Sequence, residues 1–150
     1  MILVDTNLLI YATFAQAPEH ARTRAWLQEQ LGGAGIVLCW PVLYALLRLI
    51  TSARVVGGNA VSVRAGWAVV EAYVRQPAVT LVAHGAGHAV LAEELTRTPG
   101  LRSDDVPDIE IAALAIEHGL ALATHDQGFR RFAQLRVVDP LWEQTPSRVR

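Results

Sequence analysis

A chain of 150 residues that is 52% hydrophobic, with a formal net charge of −1, has the length and apolar content of one globular domain spanning 1–150, not of a disordered segment. It contains no apolar run of roughly eighteen residues that would cross a membrane, and its single cysteine, Cys39, cannot close an internal disulfide, which fits a reducing, cytoplasmic setting. All 13 basic residues are arginine, so chemistry that needs a lysine, such as a phosphate-binding Walker loop or a Schiff base, is excluded.

The chain opens "MILVDTNLLIYA". "MILV" reads as a short buried strand and "TNLLIYATF" as the helix that follows. The stretch through "AQA" looks like a secretory leader, but it lacks a basic start and carries Asp5 and Asn7 where a leader is apolar. "PEHARTRAWLQEQLGG" reads as an amphipathic helix with Pro18 near its start, Gly32 and Gly33 ending it, and Ala21, Ala25, Trp26 and Leu27 among its apolar positions. "GIVLCW" is a second strand, "PVLYALLRLITS" a helix opened by Pro41, and "VVGGN" a loop. "AVSVRAGWAVVEAYVRQ" is a long helix stopped before Pro77, followed by a third strand, "VTLVA". "GHAVLAEELTRT" is a helix, "PGLRSDD" a loop, and "VPDIEIAALAIEHG" a helix ended by Gly119. "LALAT" and "LRVVD" are the fourth and fifth strands. Short apolar strands alternating with helices predict a parallel sheet covered on both faces.

In open parallel sheets, ligands sit beyond the carboxyl ends of the strands. Asp5 ends the first strand, Asp126 follows the fourth in "ALATHD", and Asp108 opens the helix before it. Each has a plain structural explanation. Asp5 and Asp126 can cap the segments they precede, and Asp108 can belong to a capping-box-like "DVPD" with Asp105. Capping does not explain why all three fall at one end of the sheet. Nor does it explain a helix that is apolar nearly all round, from Ile109 to Ile116, which predicts burial near Asp108. Clustered carboxylates repel, and a hard divalent cation relieves them. Thr6, Asn7 and Thr124 can hold carboxylates or waters, or simply cap. Arg130 and Arg131 can touch phosphates, or form a solvated pair.

The histidines carry less. His20 reads as a helix-surface residue. His84 and His88 lie four apart without the glutamate of a metalloprotease motif, and His118 suits the negative end of a helix. His125 tunes Asp126 or faces solvent. Trp26, Trp40, Trp67 and Trp142 lie in apolar segments and read as core or interface, not as RNA-stacking platforms.

The segments "ILVDTNLLIYA", "PDIEIAALAIEHGLALATHDQGF" and "RRFAQLRVVDPL" together resemble a PIN domain, most closely the VapC toxins of bacterial toxin–antitoxin pairs, over almost the whole chain. The resemblance implies a three-layer α/β/α fold around a parallel sheet of about five short strands. It implies an RNA-cleaving hydrolase with Mg2+ or Mn2+ held by Asp5, Asp108 and Asp126. It also implies a homodimer and a cognate VapB-type antitoxin lying along a groove beside the acidic site, where an antitoxin arginine can reach the carboxylates. Two departures stand out. Ala45 occupies the place of a glutamate common at the start of the third helix, and Gly128 that of a second aspartate before phenylalanine. Asp104, Asp105 and Glu110 are candidate substitutes, although Glu110 lies on another side of its helix from Asp108.

Two other readings compete with a metal-dependent ribonuclease. One is a PIN-like module with a degraded site that binds RNA or an antitoxin without cleavage. The other is a small phosphatase using Asp5 as nucleophile, disfavoured because Asn7 stands where a second aspartate is needed and lysine is absent. The apolar helices "VLYALLRLI" and "WAVVEAYV" hold more apolar surface than a domain this small readily buries, which again predicts contact between chains.

Overall fold

The computed structural model describes residues 1–142; residues 143–150 of the expected domain lie outside the described residues. Five strands form one parallel sheet: β1 (Ile2–Val4), β2 (Ile36–Cys39), β3 (Val79–Val82), β4 (Ala121–Ala123) and β5 (Val137–Val138). The connecting helices are α1 (Thr6–Thr13), α2 (His20–Gly32), α3 (Trp40–Ile50), α4 (Ala53–Val56), α5 (Val63–Val74), α6 (His88–Leu95) and α7 (Val106–Glu117). No single helix among the described residues is long and apolar enough to cross a membrane.

The strand order is β3-β2-β1-β4-β5. Leu3 of β1 lies between Val37 of β2 and Leu122 of β4, and all three side chains are buried. Their continuous apolar runs follow from this placement, since a central parallel strand is covered on both faces. The chain steps from β1 to β2 to β3 in one direction, then crosses back to lay β4 on the other side of β1. With the right-handed sense that parallel crossovers take, α1 to α5 cover one face and α6 and α7 the other, giving three layers. The reversal opens a crevice between the carboxyl ends of β1 and β4, the place where such sheets bind ligands.

Helix α7 explains how the second face closes. Residues Ile111–Ala115 are buried, and the small Ala112, Ala113 and Ala115 allow close approach of neighbouring elements. The helix stops as predicted. Gly119 takes a φ of +64°, open to glycine, and Leu120 N–H donates to the Ala115 carbonyl at 2.8 Å.

Several expectations change. In α2 the buried positions are Thr23 and Leu27, with Trp26 half-buried, whereas Ala21 and Ala25 are exposed; the core-facing stripe is turned from the apolar count because a short alanine contributes little burial. Helix α5 begins at Val63, not Ala60, because the Ser62 hydroxyl accepts the Ala65 N–H at 3.2 Å and fixes the start. The expected "VVGGN" loop is instead the end of α4 followed by a 3-10 turn at Gly57–Asn59. Of the two readings of the tryptophans, core or interface, the core one fails for Trp40, Trp67 and Trp142, which are exposed, Trp40 and Trp67 stacked 6.3 Å apart with Tyr44 tilted against both. His20 is half-buried, its Nδ1 bonded to the Tyr11 carbonyl oxygen at 2.8 Å.

Candidate active site

Asp5 closes β1 and caps α1. Its backbone N–H continues the β1–β4 ladder to the Ala123 carbonyl at 2.9 Å, while its side chain leaves the strand at the crevice. One carboxylate oxygen accepts the Thr6 N–H at 2.7 Å and the other accepts the Thr124 hydroxyl at 2.7 Å. The residue is only 6% exposed, and burial, followed by the Asp126 charge, holds its carboxyl above the usual range against those two hydrogen bonds.

Thr124, fully buried just past β4, ties the strand ends together. Its hydroxyl donates to Asp5 and accepts from Asn7 Nδ2 and from the Asp126 N–H, each at 3.0 Å. The Asn7 side-chain oxygen in turn accepts the His125 N–H at 3.4 Å. The Thr6 hydroxyl reaches across to the Val42 carbonyl in the first turn of α3, also at 3.4 Å. Thr6, Asn7 and Thr124 therefore join β1, β4 and α3 around the Asp5 carboxylate.

Asp126 is exposed and caps the 3-10 turn Gln127–Arg131, one oxygen accepting the Gly128 N–H at 2.7 Å. Asp108 lies half-buried in the first turn of α7 and makes no hydrogen bond among the described residues, so the capping box expected for "DVPD" does not form. Asp105 instead accepts the Arg102 N–H at 2.8 Å with one carboxylate oxygen. Desolvation pushes the Asp108 carboxyl up to about 6; the charges of Asp126, Asp5 and Asp105 add to this, and Arg131 offsets part of it. Asp5 and Asp108, from separate segments, thus both lie in the field of Asp126 at the crevice.

Among the described residues no group of three His, Cys, Asp or Glu side chains is placed to hold a metal ion as the side chains stand. The donor chemistry nonetheless fits a hard dication. All three groups offer carboxylate oxygens, Asp5 and Asp108 are held out of water with the Asp126 charge close by, and Asp108 and Asp126 are not hydrogen-bonded on both oxygens.

Residues 2–135 match the PIN domain family. The chain is a PIN domain. It is 38% identical over 144 residues to the Mycobacterium tuberculosis protein Ribonuclease VapC33, covering 95% of this chain and 100% of the relative. To the Mycobacterium bovis VapC ribonuclease Mb2897 it is 33% identical over 147 residues, 97% of this chain and 99% of that one. In fold it is similar to VapBC-1 from nontypeable Haemophilus influenzae, with a TM-score of 0.68 at 16% identity, covering 93% of this chain and 98% of that one.

Within this PIN domain the remaining predicted residues divide. Arg131 is committed to structure: its guanidinium pairs with Asp105 at 2.9 Å and donates to the Gly128 carbonyl at 2.6 Å. The Arg102 N–H first, then Arg131, hold the Asp105 carboxyl below the usual range. Arg130 is exposed and bonded to the Gln127 side chain at 2.6 Å through Nε. Gly128 is crowded, since a Cβ there would lie 2.6 Å from an Arg131 nitrogen and 2.9 Å from an Asp126 oxygen. Ala45 is half-buried in the second turn of α3. Of the proposed substitutes, Glu110 pairs with His84 at 3.0 Å and Asp105 with Arg131, while Asp104 is exposed. The His118 ring bonds to the Ala83 carbonyl at 2.9 Å.

Asp139 was not singled out from the sequence. Its side chain is buried just past β5 and accepts from His125 Nδ1 at 2.9 and 3.1 Å, from Gln127 Nε2 at 3.0 Å and from the Leu141 N–H at 2.9 Å. It fixes the His125 ring beside Asp126. The signal was available: "LRVVD" ends in an aspartate just as "ILVD" does.

Proposed function

We propose that this PIN domain is a metal-dependent endoribonuclease, the toxin of a VapBC-type toxin–antitoxin pair, acting in the cytoplasm. The observation that carries the reading is Asp108, half-buried and unbonded, lifted to about 6 by burial and by the charges of Asp126 and Asp5 at the β1–β4 crevice. A carboxylate in that position lacks a cation. Asp5, Asp108 and Asp126 would hold Mg2+ or Mn2+, and such an ion, when bound, activates a water and neutralises charge on a phosphodiester. Thr124 and the Thr6 N–H orient the Asp5 oxygens, and Thr124 also steadies the turn that carries Asp126. Asp139 orients the His125 ring next to it.

The ribonuclease relatives support RNA as substrate, with exposed Arg130 as a phosphate contact. The VapBC neighbour supports a VapB-type antitoxin as partner. The exposed Trp40, Tyr44 and Trp67 cluster, with Val63 beside it on α5, supports a homodimer through α3 and α5.

In the test, purified protein cuts RNA with magnesium or manganese, a chelator stops it, and Asp5→Asn abolishes it while the fold survives. Undiminished cutting by Asp5→Asn would reduce Asp5 to a helix cap. Ala45, Gly128 and the unassembled ligand geometry favour a second reading, a PIN module that binds without cleaving. Magnesium binding without RNA cleavage on any substrate would select it.

A further inference from the structure

The far end of α1 faces α4 and the Gly57–Asn59 turn across a cleft of about 350 Å³. Its walls include Tyr11 and Phe14 on one side, Val55 and Val56 on the other, and the amides of Gln16 and Asn59. We propose that this cleft binds one unpaired nucleobase of the RNA, next to the phosphate that the acidic site addresses. The inference rests on the ribonuclease reading above and extends it to substrate selection.

Three observations carry it. First, the lining has the chemistry of a base site, with aromatic and aliphatic faces for the ring and a few amides for its edge. An amide side chain can donate and accept at once, which suits base edges. Second, the cleft adjoins the site through Tyr11. The Tyr11 ring meets the His125 ring edge-on at 6.3 Å, and the hydroxyl is held above its ordinary range by burial and by the charges of Glu19, Asp126, Asp5 and Asp139. A nucleotide with its phosphate at the crevice therefore has this cleft within reach of its base. Third, the Tyr11 hydroxyl makes no hydrogen bond among the described residues, which leaves a protonated donor unused beside the site. The backbone that carries it is fixed, the Tyr11 carbonyl being bonded to His20. One wall is thus anchored, while the other is a four-residue helix and a short turn.

The test uses the full-length Asp5→Asn protein and short single-stranded RNAs in which 2-aminopurine replaces one base at a time. Expected is fluorescence quenching by stacking at one position only. Tyr11→Leu should remove that quenching and weaken binding roughly five-fold or more, while leaving the other positions unchanged. Val55→Phe, which fills the cleft from an exposed position, and Asn59→Leu, which removes a polar partner, should do the same if Tyr11→Leu fails to fold. Quenching shared equally by all positions, or unmoved by Val55→Phe and Asn59→Leu, overturns the proposal, including where those variants lose antitoxin binding and so mark the cleft as a protein-docking site. A parent protein that cuts no RNA while the position-specific quenching persists sinks the ribonuclease reading and upholds the base site. Cutting without position-specific quenching does the reverse.

Discussion

Replacing Asp108 with asparagine should make the protein more stable, and by an amount that depends on pH. In the folded state the carboxyl is raised from 3.8 to about 6, chiefly by burial. Between those values the folded protein holds a proton that the unfolded chain has released, so the parent loses stability as pH rises through roughly 4 to 6 and reaches its full penalty above that. At 1.36 kcal/mol per tenfold change in acidity, the rise from 3.8 to about 6 sets a ceiling of about 3 kcal/mol. Asp108 is half-exposed, and solvent screening reduces this to about 1–2 kcal/mol. Asparagine is close in shape and cannot ionise. Urea unfolding of parent and Asp108→Asn at pH 4 and pH 8, without divalent ions, should give similar midpoints at pH 4 and a variant more stable by that amount at pH 8. Magnesium at pH 8 should narrow the gap by stabilising the parent. A difference that is the same at both pH values would refute the reasoning, because it would then owe nothing to the carboxylate charge.

Thr124→Val keeps the shape and removes the hydroxyl shared by Asp5, Asn7 and Asp126; urea unfolding should show a loss of about 2 kcal/mol, since buried partners are left unpaired. Gly35→Ala should cost about 3 kcal/mol or more, because φ is +77° and the new Cβ would lie 2.5 Å from the Ala78 carbonyl oxygen; a thermal midpoint near the parent's would contradict this contact. Ala45→Glu should tighten magnesium binding by calorimetry by offering another hard oxygen, and an unchanged isotherm would place residue 45 outside the ion's reach.

What the sequence made legible follows from the range of the interaction involved. Strands β1, β2 and β4 and the stop at Gly119 rest on local apolar runs and one backbone angle, and they appear within a residue or two of where the sequence puts them. The placement of Asp5 and Asp126 at the carboxyl edge of the sheet follows from strand ends alone, whereas the strand order that makes this edge a switch point does not. Asp139 obeys the same rule, but what gives it a role, the His125 ring and the Gln127 amide, is brought to it only by the fold. The Arg131–Asp105 pair has no local signature: the two residues are 26 positions apart and meet only because the 3-10 turn after β4 folds against the start of α7. The exposure of Trp40 and Trp67 is likewise a tertiary fact, since composition counts apolar residues without saying which helix face lacks a neighbour.

The position of β1 has a bearing on time as well as space. The central strand, β1, is the first of the five in chain order, and its partner β4 lies more than a hundred residues downstream. During synthesis β1 can pair with β2 early, yet Asp5 stays without the Thr124 hydroxyl, and without Asp126 nearby, until the last quarter of the described chain has emerged and docked. The acidic crevice therefore forms only after β4 has emerged, and a nascent chain that stops short of β4 carries no assembled site.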